Sequence, residues 1–194
     1  NEAKSIVPVE TYKKMIDETK PDVVHICTPH YLHKEMIIYA LTKNINVFCE
    51  KPLCINFEEI YEIEQVLKCS NAQLGICYQH RYDPSVLFVK DYIKDKEVKS
   101  TYGMLMWKRD EDYYNQAEWR GNKKYEGGGV LINQAIHTID LLQLFGGMPS
   151  KITAFIEIIF FSSISSSLIL NFVFIPGIID KIDLIPPILF MVSN

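Results

Sequence analysis

A short apolar run that ends in a charged pair and a proline constrains this chain more than any other stretch. Val47-Phe48-Cys49 is followed at once by Glu50-Lys51-Pro52. A buried strand of a parallel sheet delivers the residues after it to the carboxyl edge, where open α/β folds bind ligands. Proline lacks a backbone donor and restricts the residue before it, so Lys51 cannot lie in mid-strand or mid-helix. A solvated loop would also suit these residues, and the flanking segments decide between the two.

Strand-like and helix-like segments alternate along the first half of the chain. Short apolar runs predict strands at Asp22–Cys27, Asn46–Glu50 and Leu74–Tyr78. Apolar residues at helical spacing predict helices at Pro8–Lys20, at Tyr31–Lys43, after Asn56 and from Pro84 to about Lys94. Asn56 with Glu59 three residues later is a capping-box pattern. This alternation predicts βαβ units and a parallel sheet with right-handed crossovers.

The glycine pattern of a complete dinucleotide fold is missing from the sequence. Such a fold begins with a strand, a GxGxxG turn and a helix. None of the nine glycines forms that pattern, and the nearest group, Gly127-Gly128-Gly129, follows a charged loop. We therefore expect a partial Rossmann domain, a doubly wound parallel sheet truncated at its N-terminus and lacking the first βαβ unit.

The pattern changes after Val98. A loosely alternating stretch at Thr101–Trp107 predicts a strand with one covered face. A polar, aromatic-rich loop is expected at Asp110–Glu126, one long apolar helix at Gly128–Phe145 and a further strand at Lys151–Phe155. The predicted fold class is therefore α/β, with a partial Rossmann domain at 1–95 followed at 96–155 by the beginning of an α+β open-sheet substrate domain.

Residues 156–194 differ in composition from the rest and hold only four charged side chains. A transmembrane span over Ile156–Ile179 is long enough, but Glu157, six polar residues and Pro176-Gly177 make it a poor one. We expect instead a divergent, possibly frameshifted tail that adds no native strands and promotes aggregation through the apolar run Leu168–Ile175.

Charge and cysteine content narrow the class of protein. The net charge is −4 and no basic cluster occurs, which argues against nucleic acid as the main partner. Five cysteines form no CxxC pair, as expected for reduced thiols in the cytoplasm. The chain begins without Met and without an apolar leader, so we expect that an upstream segment has been lost and that there is no secretory signal.

Several motifs occur in a definite order along the chain. Thr28-Pro29 and His33 come first, Glu50-Lys51-Pro52 follows, and Gly127-Gly128-Gly129 leads into His137 and Asp140. In this order and at this spacing they resemble the Gfo/Idh/MocA family of NAD(P)-dependent sugar and polyol dehydrogenases, over roughly Ser5 to Phe155. The resemblance implies NAD or NADP as cofactor, a sugar-like substrate and a homo-oligomeric full-length form.

The resemblance implies that Lys51 lies beside the nicotinamide and contacts the hydroxyl that is oxidised. A flexible ammonium suits that role because it stabilises a developing alkoxide. Glu50 is expected near the ribose or nicotinamide, and Thr28, Pro29 and His33 in the loop that touches the cofactor. Each also has a structural interpretation: Thr28 could cap a helix, and Glu50 could be an ordinary acid at a strand end.

His137 is the second predicted catalytic residue, as the general base that takes the hydroxyl proton. On one continuous helix, Asn133 and Asp140 would share its face. The family often has Asp where this chain has Asn133, so Asn133 is expected only to position substrate, and Asp140 to be a structural partner. The remaining predicted substrate contacts are Arg81, Trp119 and Arg120, although Arg81 could instead pair with an acid.

The leading interpretation is thus a cytoplasmic oxidoreductase that transfers a hydride between NAD(P) and a sugar or polyol carbon, with no metal, nucleic acid or membrane partner. An inactive fragment, surviving as a gene remnant or as a binding and assembly partner, is the alternative, because the phosphate-loop pattern is missing. A membrane-attached protein held by the apolar tail is the third interpretation.

Overall fold

The computed structural model describes residues 11–105, 107, 109, 111–150, 152 and 172–174. The chain divides into two units, Asn1–Cys77 and Tyr78–Asn194. The described residues of the first unit form a parallel three-stranded sheet, and those of the second form a two-stranded antiparallel sheet with several helices.

The sheet of the first unit contains β1 (Val23–Ile26), β2 (Asn46–Cys49) and β3 (Leu74–Ile76) in the order β1-β2-β3. Both pairings are parallel, so the predicted βαβ arrangement is confirmed. Burial alternates along β1 and β2, and the side chains of Val23 and Phe48 are exposed. The alternation shows that helices cover one face of this sheet among the described residues.

Three helices accompany these strands: α1 (Tyr12–Thr19), α2 (His33–Thr42, preceded by a 3-10 turn at His30–Leu32) and α3 (Phe57–Lys68). Their positions match the predicted helices to within a few residues, while positions 8–10 lie outside the described residues. The α3 cap also forms as predicted, because Asn56 Oδ1 accepts from the Glu59 backbone N–H at 2.9 Å. Glu59 reaches back to the Ile55 N–H at 3.1 Å, one residue before the cap residue.

Two of the five cysteines, Cys49 and Cys54, are fully buried. Burial raises the pKa of Cys54 to about 12 and that of Cys49 further. Both thiols are therefore protonated and unreactive at neutral pH.

The second unit begins with a 3-10 turn at Gln79–Tyr82 and α4 (Pro84–Ile93). The elements that follow are β4 (Thr101–Gly103), α5 (Glu111–Asn115), α6 (Lys123–Glu126), α7 (Val130–Asn133), α8 (Ile136–Gly146) and β5 (Phe172–Phe174). Helix α8 packs against α4, α7 and β4. The predicted loop at Asp110–Glu126 is thus only partly a loop, since it contains two short helices.

The long helix predicted over Gly128–Phe145 is wrong, because it is interrupted between α7 and α8. The Ala135 N–H donates to the carbonyl oxygen of Val130, five residues earlier in the chain. This hydrogen bond is one residue longer than that of an α-helix and widens the helical turn. Ala135 is also buried and packs with Ile139, which holds the interruption in the core. Asn133 and His137 therefore lie on different helices, and the shared helical face that we expected for them is absent.

The tail contributes one strand among the described residues, contrary to our expectation that it would add none. Phe172–Phe174 pairs antiparallel with Thr101–Gly103, with Tyr102 opposite Val173. The strand predicted at Lys151–Phe155 lies outside the described residues except for Ile152. No helix in the part of the chain that the structure describes is both long and apolar enough to cross a membrane.

Candidate functional site

His33, one of the predicted cofactor contacts, is fully buried. Its Nε2 lies 2.8 Å from the Thr28 carbonyl oxygen, and its Nδ1 lies 2.8 Å from the Pro52 carbonyl oxygen. Thr28 follows β1 and Pro52 follows β2, so the imidazole connects the loops at the carboxyl ends of two adjacent strands. This geometry makes His33 a positioning residue, while direct contact with a cofactor stays a prediction.

Lys51 lies in a short segment with buried residues before and after it. Cys49, Pro52 and Cys54 are each less than 2% exposed, whereas Lys51 and Glu50 are half-buried. The Lys51–Pro52 peptide bond is cis. A side chain whose neighbours are fixed by packing is placed more precisely than one in a solvated loop. The loop after β2 therefore holds the Lys51 backbone firmly at the edge of the sheet.

The other predicted residues at this edge are partly accessible. Thr28 and Pro29 are half-buried, and the Thr28 hydroxyl contacts the Met36 sulfur at 3.5 Å. Glu50 Oε1 lies 3.9 Å from His25 Nε2, a loose pair with both side chains exposed by more than a third. The first unit thus places Thr28, Pro29, Glu50 and Lys51 in the loops that follow β1 and β2.

These loops fit only one end of a dinucleotide. A pyrophosphate is bound by successive backbone N–H groups at a glycine-rich turn before a helix. The turns after β1 and β2 carry Pro29 and Pro52 instead, and proline has no N–H to donate. Hydroxyl, carboxylate and ammonium groups are present, and these groups suit contacts to a ribose or a nicotinamide. The described residues of the first unit therefore fit the nicotinamide end of NAD(P) and not its phosphates.

His137 lies in the first turn of α8 and is half-buried. Its ring meets the His80 ring edge-to-face, with centroids 4.9 Å apart, and the Tyr78 ring with centroids 6.1 Å apart. His80 Nδ1 is in turn 2.8 Å from the Asp83 carboxylate, which fixes the orientation of that ring. The second unit thus holds the predicted general base between aromatic neighbours at a helix N-terminus.

Arg81 pairs with an acid, which is the structural alternative to substrate binding. Its Nε donates to Asp140 Oδ2 at 2.8 Å, and its Nη2 donates to Asp140 Oδ1 at 2.5 Å. Asp140 is 3% exposed, and hydrogen bonding to it raises the pKa of the Arg81 guanidinium. This bidentate pair joins the 3-10 turn to α8, and its geometry makes Asp140 the structural partner that we expected.

Two further predicted residues, Trp119 and Arg120, lie in what we call the arginine–aromatic cluster, formed by Trp107, Arg109, Tyr113, Trp119 and Arg120. The guanidinium carbon of Arg109 lies 4.0 Å from the Trp107 ring centroid and 4.5 Å from that of Tyr113. The guanidinium carbon of Arg120 lies 4.7 Å from the Tyr113 centroid and 4.9 Å from that of Trp119. The Arg120 Nη1 also donates to the Tyr113 hydroxyl at 2.8 Å.

Asn133 contacts both this cluster and a buried acid, Glu126. Its amide Nδ2 donates to Glu126 Oε1 and lies 3.4 Å from the Tyr113 hydroxyl. Glu126 is 2% exposed and accepts the Gly121 N–H on its other oxygen at 2.8 Å. Burial, and then the Glu126 charge, raise the pKa of the neighbouring Tyr114.

Our sequence interpretation missed Arg109, Tyr113 and Glu126. The only signal was the density of aromatic and arginine residues between Trp107 and Arg120, which we interpreted as an irregular loop. Charged side chains in such a segment are usually solvated, so sequence alone did not distinguish these arginines. Among the described residues, no group of three or more His, Cys, Asp or Glu side chains is arranged to hold a metal ion.

Two family models match the chain in sequence order. The oxidoreductase family with an NAD-binding Rossmann fold matches residues 1–78, and the GFO/IDH/MocA C-terminal domain matches residues 96–163. The second match extends past Phe155, where the resemblance was expected to end.

Among curated proteins, levoglucosan dehydrogenase of Pseudarthrobacter phenanthrenivorans is 30% identical over 149 residues, covering 74% of this chain and 37% of that protein. Inositol 2-dehydrogenase of Rhizobium meliloti is 27% identical, with 69% of this chain and 39% of that protein covered. The chain therefore spans well under half the length of these relatives.

Solved structures show the same partial coverage. The WlbA dehydrogenase from Bordetella pertussis, solved with NADH and UDP-GlcNAcA, aligns with a TM-score of 0.66 at 27% identity over 74% of this chain and 42% of that one. Levoglucosan dehydrogenase with NADH and levoglucosan aligns with a TM-score of 0.64 at 27% identity, over 72% of this chain and 38% of that one.

Proposed function

This chain belongs to the Gfo/Idh/MocA oxidoreductase family, and on that premise we propose that it carries out hydride transfer between NAD(P) and a hydroxyl or carbonyl carbon of a sugar, sugar derivative or polyol. The observation that carries the proposal is the match of both family domain models in order, with Lys51 in the loop after β2 of the NAD-binding one. Relatives named for levoglucosan, inositol and glucoside dehydrogenation support the substrate class.

The role proposed for Lys51 is to bind and orient the reacting oxygen. The nicotinamide, when bound, supplies the hydride acceptor or donor. The Lys51 ammonium donates a hydrogen bond to the substrate oxygen and stabilises negative charge that develops on it. The packing of Cys49 and Pro52 supports this assignment, since a fixed backbone limits where the ammonium can reach. Thr28, Pro29 and Glu50 are proposed to contact the ribose or nicotinamide.

The role proposed for His137 is to accept the hydroxyl proton. Its edge-to-face contacts with His80 and Tyr78 limit rotation of the ring, which a general base needs in order to meet the proton at hydrogen-bond distance. Asn133 has no basic group and serves only to position substrate, as do Trp119 and Arg120. Arg81 is proposed to act indirectly, by holding Asp140 on the helix that bears His137.

The test uses a chimera in which residues 11–150 of this chain replace the matching segment of levoglucosan dehydrogenase. Such a chimera keeps the remainder of levoglucosan dehydrogenase, a protein solved with NADH bound. We expect it to form NADH from NAD⁺ with at least one sugar or polyol of a panel. Lys51→Met and His137→Ala should each lower turnover by roughly 10²–10⁴-fold. A folded chimera that reduces no cofactor with any substrate would contradict the proposal.

The second candidate is a catalytically inactive binding or assembly partner. The given sequence contains no GxGxxG pattern, which binds a pyrophosphate through its backbone N–H groups. We therefore expect the chain by itself to bind NADH weakly or not at all. Titration of NADH fluorescence measures this, and micromolar affinity would exclude the second candidate and our account of the phosphate site.

We further propose that the substrate domain begins near residue 96, where the second family match starts, and that the contact-based division at Tyr78 places α4 with it. We also propose that the protein acts in the cytoplasm and that the full-length form is a homo-oligomer. None of the five cysteines, all of which the structure describes, forms a disulfide, which is the usual state in a reducing compartment. Size-exclusion chromatography with light scattering tests the assembly, and a strictly monomeric chimera at micromolar concentration would contradict it.

A further inference from the structure

The two arginines of the arginine–aromatic cluster have no negative partner among the described residues. Nine ion pairs join other residues of the described chain, and neither Arg109 nor Arg120 takes part in one. Their Nε atoms are buried and make no hydrogen bond. A guanidinium is charged at every physiological pH, so both residues carry a full positive charge.

The cluster brings these two charges close together. Both guanidinium carbons lie over the same Tyr113 ring, at 4.5 and 4.7 Å from its centroid. The two guanidinium carbons therefore lie no farther apart than the sum of these two distances. Like charges at such a separation repel, and the repulsion is stronger where side chains are half-buried, as both arginines are.

Glu126, a buried acid that contacts Asn133, forms no ion pair with either arginine among the described residues. Glu126 accepts the Gly121 N–H on Oε2 and the Asn133 amide on Oε1. Arg109 makes no hydrogen bond among the described residues, and Arg120 donates to a phenol oxygen, which is neutral. Two guanidinium groups that have no acidic partner among the described residues, both stacked on the Tyr113 ring, form a preorganised site for a group with several acceptor oxygens.

The ring neighbours point to the rest of the ligand. Trp107 is exposed, and the half-buried Trp119 flanks Arg120. Aromatic faces of this kind pack against the apolar face of a sugar ring, while the arginines bind its charged substituent. Asn133, four residues before the proposed general base, lies 3.4 Å from the Tyr113 hydroxyl and connects the cluster to the α7–α8 segment.

We propose that the arginine–aromatic cluster is a specificity site for a sugar bearing an anionic group, either a carboxylate or a phosphate ester, which Arg109 and Arg120 bind together. This inference deepens the proposed function and rests on it for the assignment of a sugar as substrate. It adds Arg109 and Tyr113 to the substrate contacts and restricts the substrate to acidic sugars.

The chain provides its own probe, since Trp107 and Trp119 are its only two tryptophans and both belong to the cluster. Tryptophan fluorescence of the full chain is titrated with glucuronate, glucose 6-phosphate, glucose and sulfate, without cofactor. We expect saturable binding of one or both acidic sugars at least tenfold tighter than binding of glucose or sulfate. The acidic sugar that binds more tightly distinguishes a carboxylate from a phosphate specificity.

Arg109→Gln and Arg120→Gln should each weaken binding of the acidic sugar by at least tenfold. Arg109→Lys should retain an intermediate affinity, because it keeps the charge but loses the fork. Lys123→Gln is the matched control, since it removes one exposed positive charge from the same segment and should leave binding unchanged. If Arg120→Gln fails to fold, Arg109→Gln still decides, because Arg109 has no described hydrogen bond to lose.

Equal affinity for glucose and glucuronate, equal affinity for sulfate, or unchanged binding in Arg109→Gln would each overturn the inference. The outcome is separable from that of the proposed function. Acidic-sugar binding by a chain whose chimera transfers no hydride would retain this site and reject the enzyme. A chimera that oxidises neutral sugars while the cluster binds no acidic sugar would retain the enzyme and reject this site.

Discussion

In the first unit a buried imidazole, His33, lies between two backbone carbonyl oxygens, whereas in the second unit a buried carboxylate, Asp140, is held by a guanidinium. The first arrangement depends on a single side chain, because its partners are backbone carbonyl oxygens, which every residue has. The second depends on two charged side chains that are distant in sequence. Removing one member of the charged pair leaves a charge without its partner, which is the more costly loss.

The largest effect should therefore come from Asp140→Ala. This change removes the partner of Arg81, whose side chain is 33% exposed and partly screened by solvent. We expect a loss of about 3 kcal/mol in the free energy of unfolding. This value is at the low end of the range for breaking a buried ion pair, because Arg81 is partly exposed. Urea unfolding measures the loss, with Asp91→Ala as control because its pair with Lys94 is exposed.

The comparison is sharpened by replacing both partners. Arg81→Met combined with Asp140→Leu removes both charges and keeps apolar volume, so it should recover most of the lost stability. A double variant as unstable as Asp140→Ala would show that the pair does more than neutralise a buried charge.

The difference between the units also explains what the sequence could predict. In the first unit, apolar spacing and the Asn56 cap predicted the strands and helices to within a few residues, since local pattern and packing agree there. In the second unit, the interruption at Ala135 was missed because the apolar pattern runs on through it. The arginine–aromatic cluster was missed because it lies in a segment that we interpreted as an irregular loop, where contacts such as that of Tyr113 with Arg120 depend on tertiary structure.

The predicted site residues divide in a similar way. Lys51 and His137 could be named from motifs, but a motif does not give burial or partners. The burial of His33 between Thr28 and Pro52, and the bidentate contact of Arg81 with Asp140, depend on tertiary structure. Their roles in positioning therefore appear only with the fold.

A smaller but still large effect is expected for His33→Ala. It would leave the Thr28 or the Pro52 carbonyl oxygen without its donor and create a cavity in the core of the first unit. The expected loss is about 2 kcal/mol in the free energy of unfolding. His25→Ala is the matched control, because His25 is exposed on β1 and should change stability little. Equal losses in the two variants would contradict the proposed positioning role of His33.

The smallest effects compare helix caps in the two units. Asn56 Oδ1 caps the twelve-residue α3, and Asn122 Oδ1 accepts the Lys124 N–H at the start of the four-residue α6. Asn56→Ala should cost about 1 kcal/mol, the usual value of a cap. Asn122→Ala should cost less, because a single turn contributes little to the unit. Thermal melts of both variants test this order, and a larger loss for Asn122→Ala would reverse our comparison of the caps.

The central claim, that this chain provides the general base of a sugar or polyol oxidoreductase, is tested most directly by His137→Ala in the levoglucosan dehydrogenase chimera. Turnover and melting temperature are measured on the same preparation. The account predicts a kcat lower by roughly 10²–10⁴-fold with little change in melting temperature. A variant with a lowered melting temperature but normal turnover per folded molecule would contradict it and make His137 a structural residue.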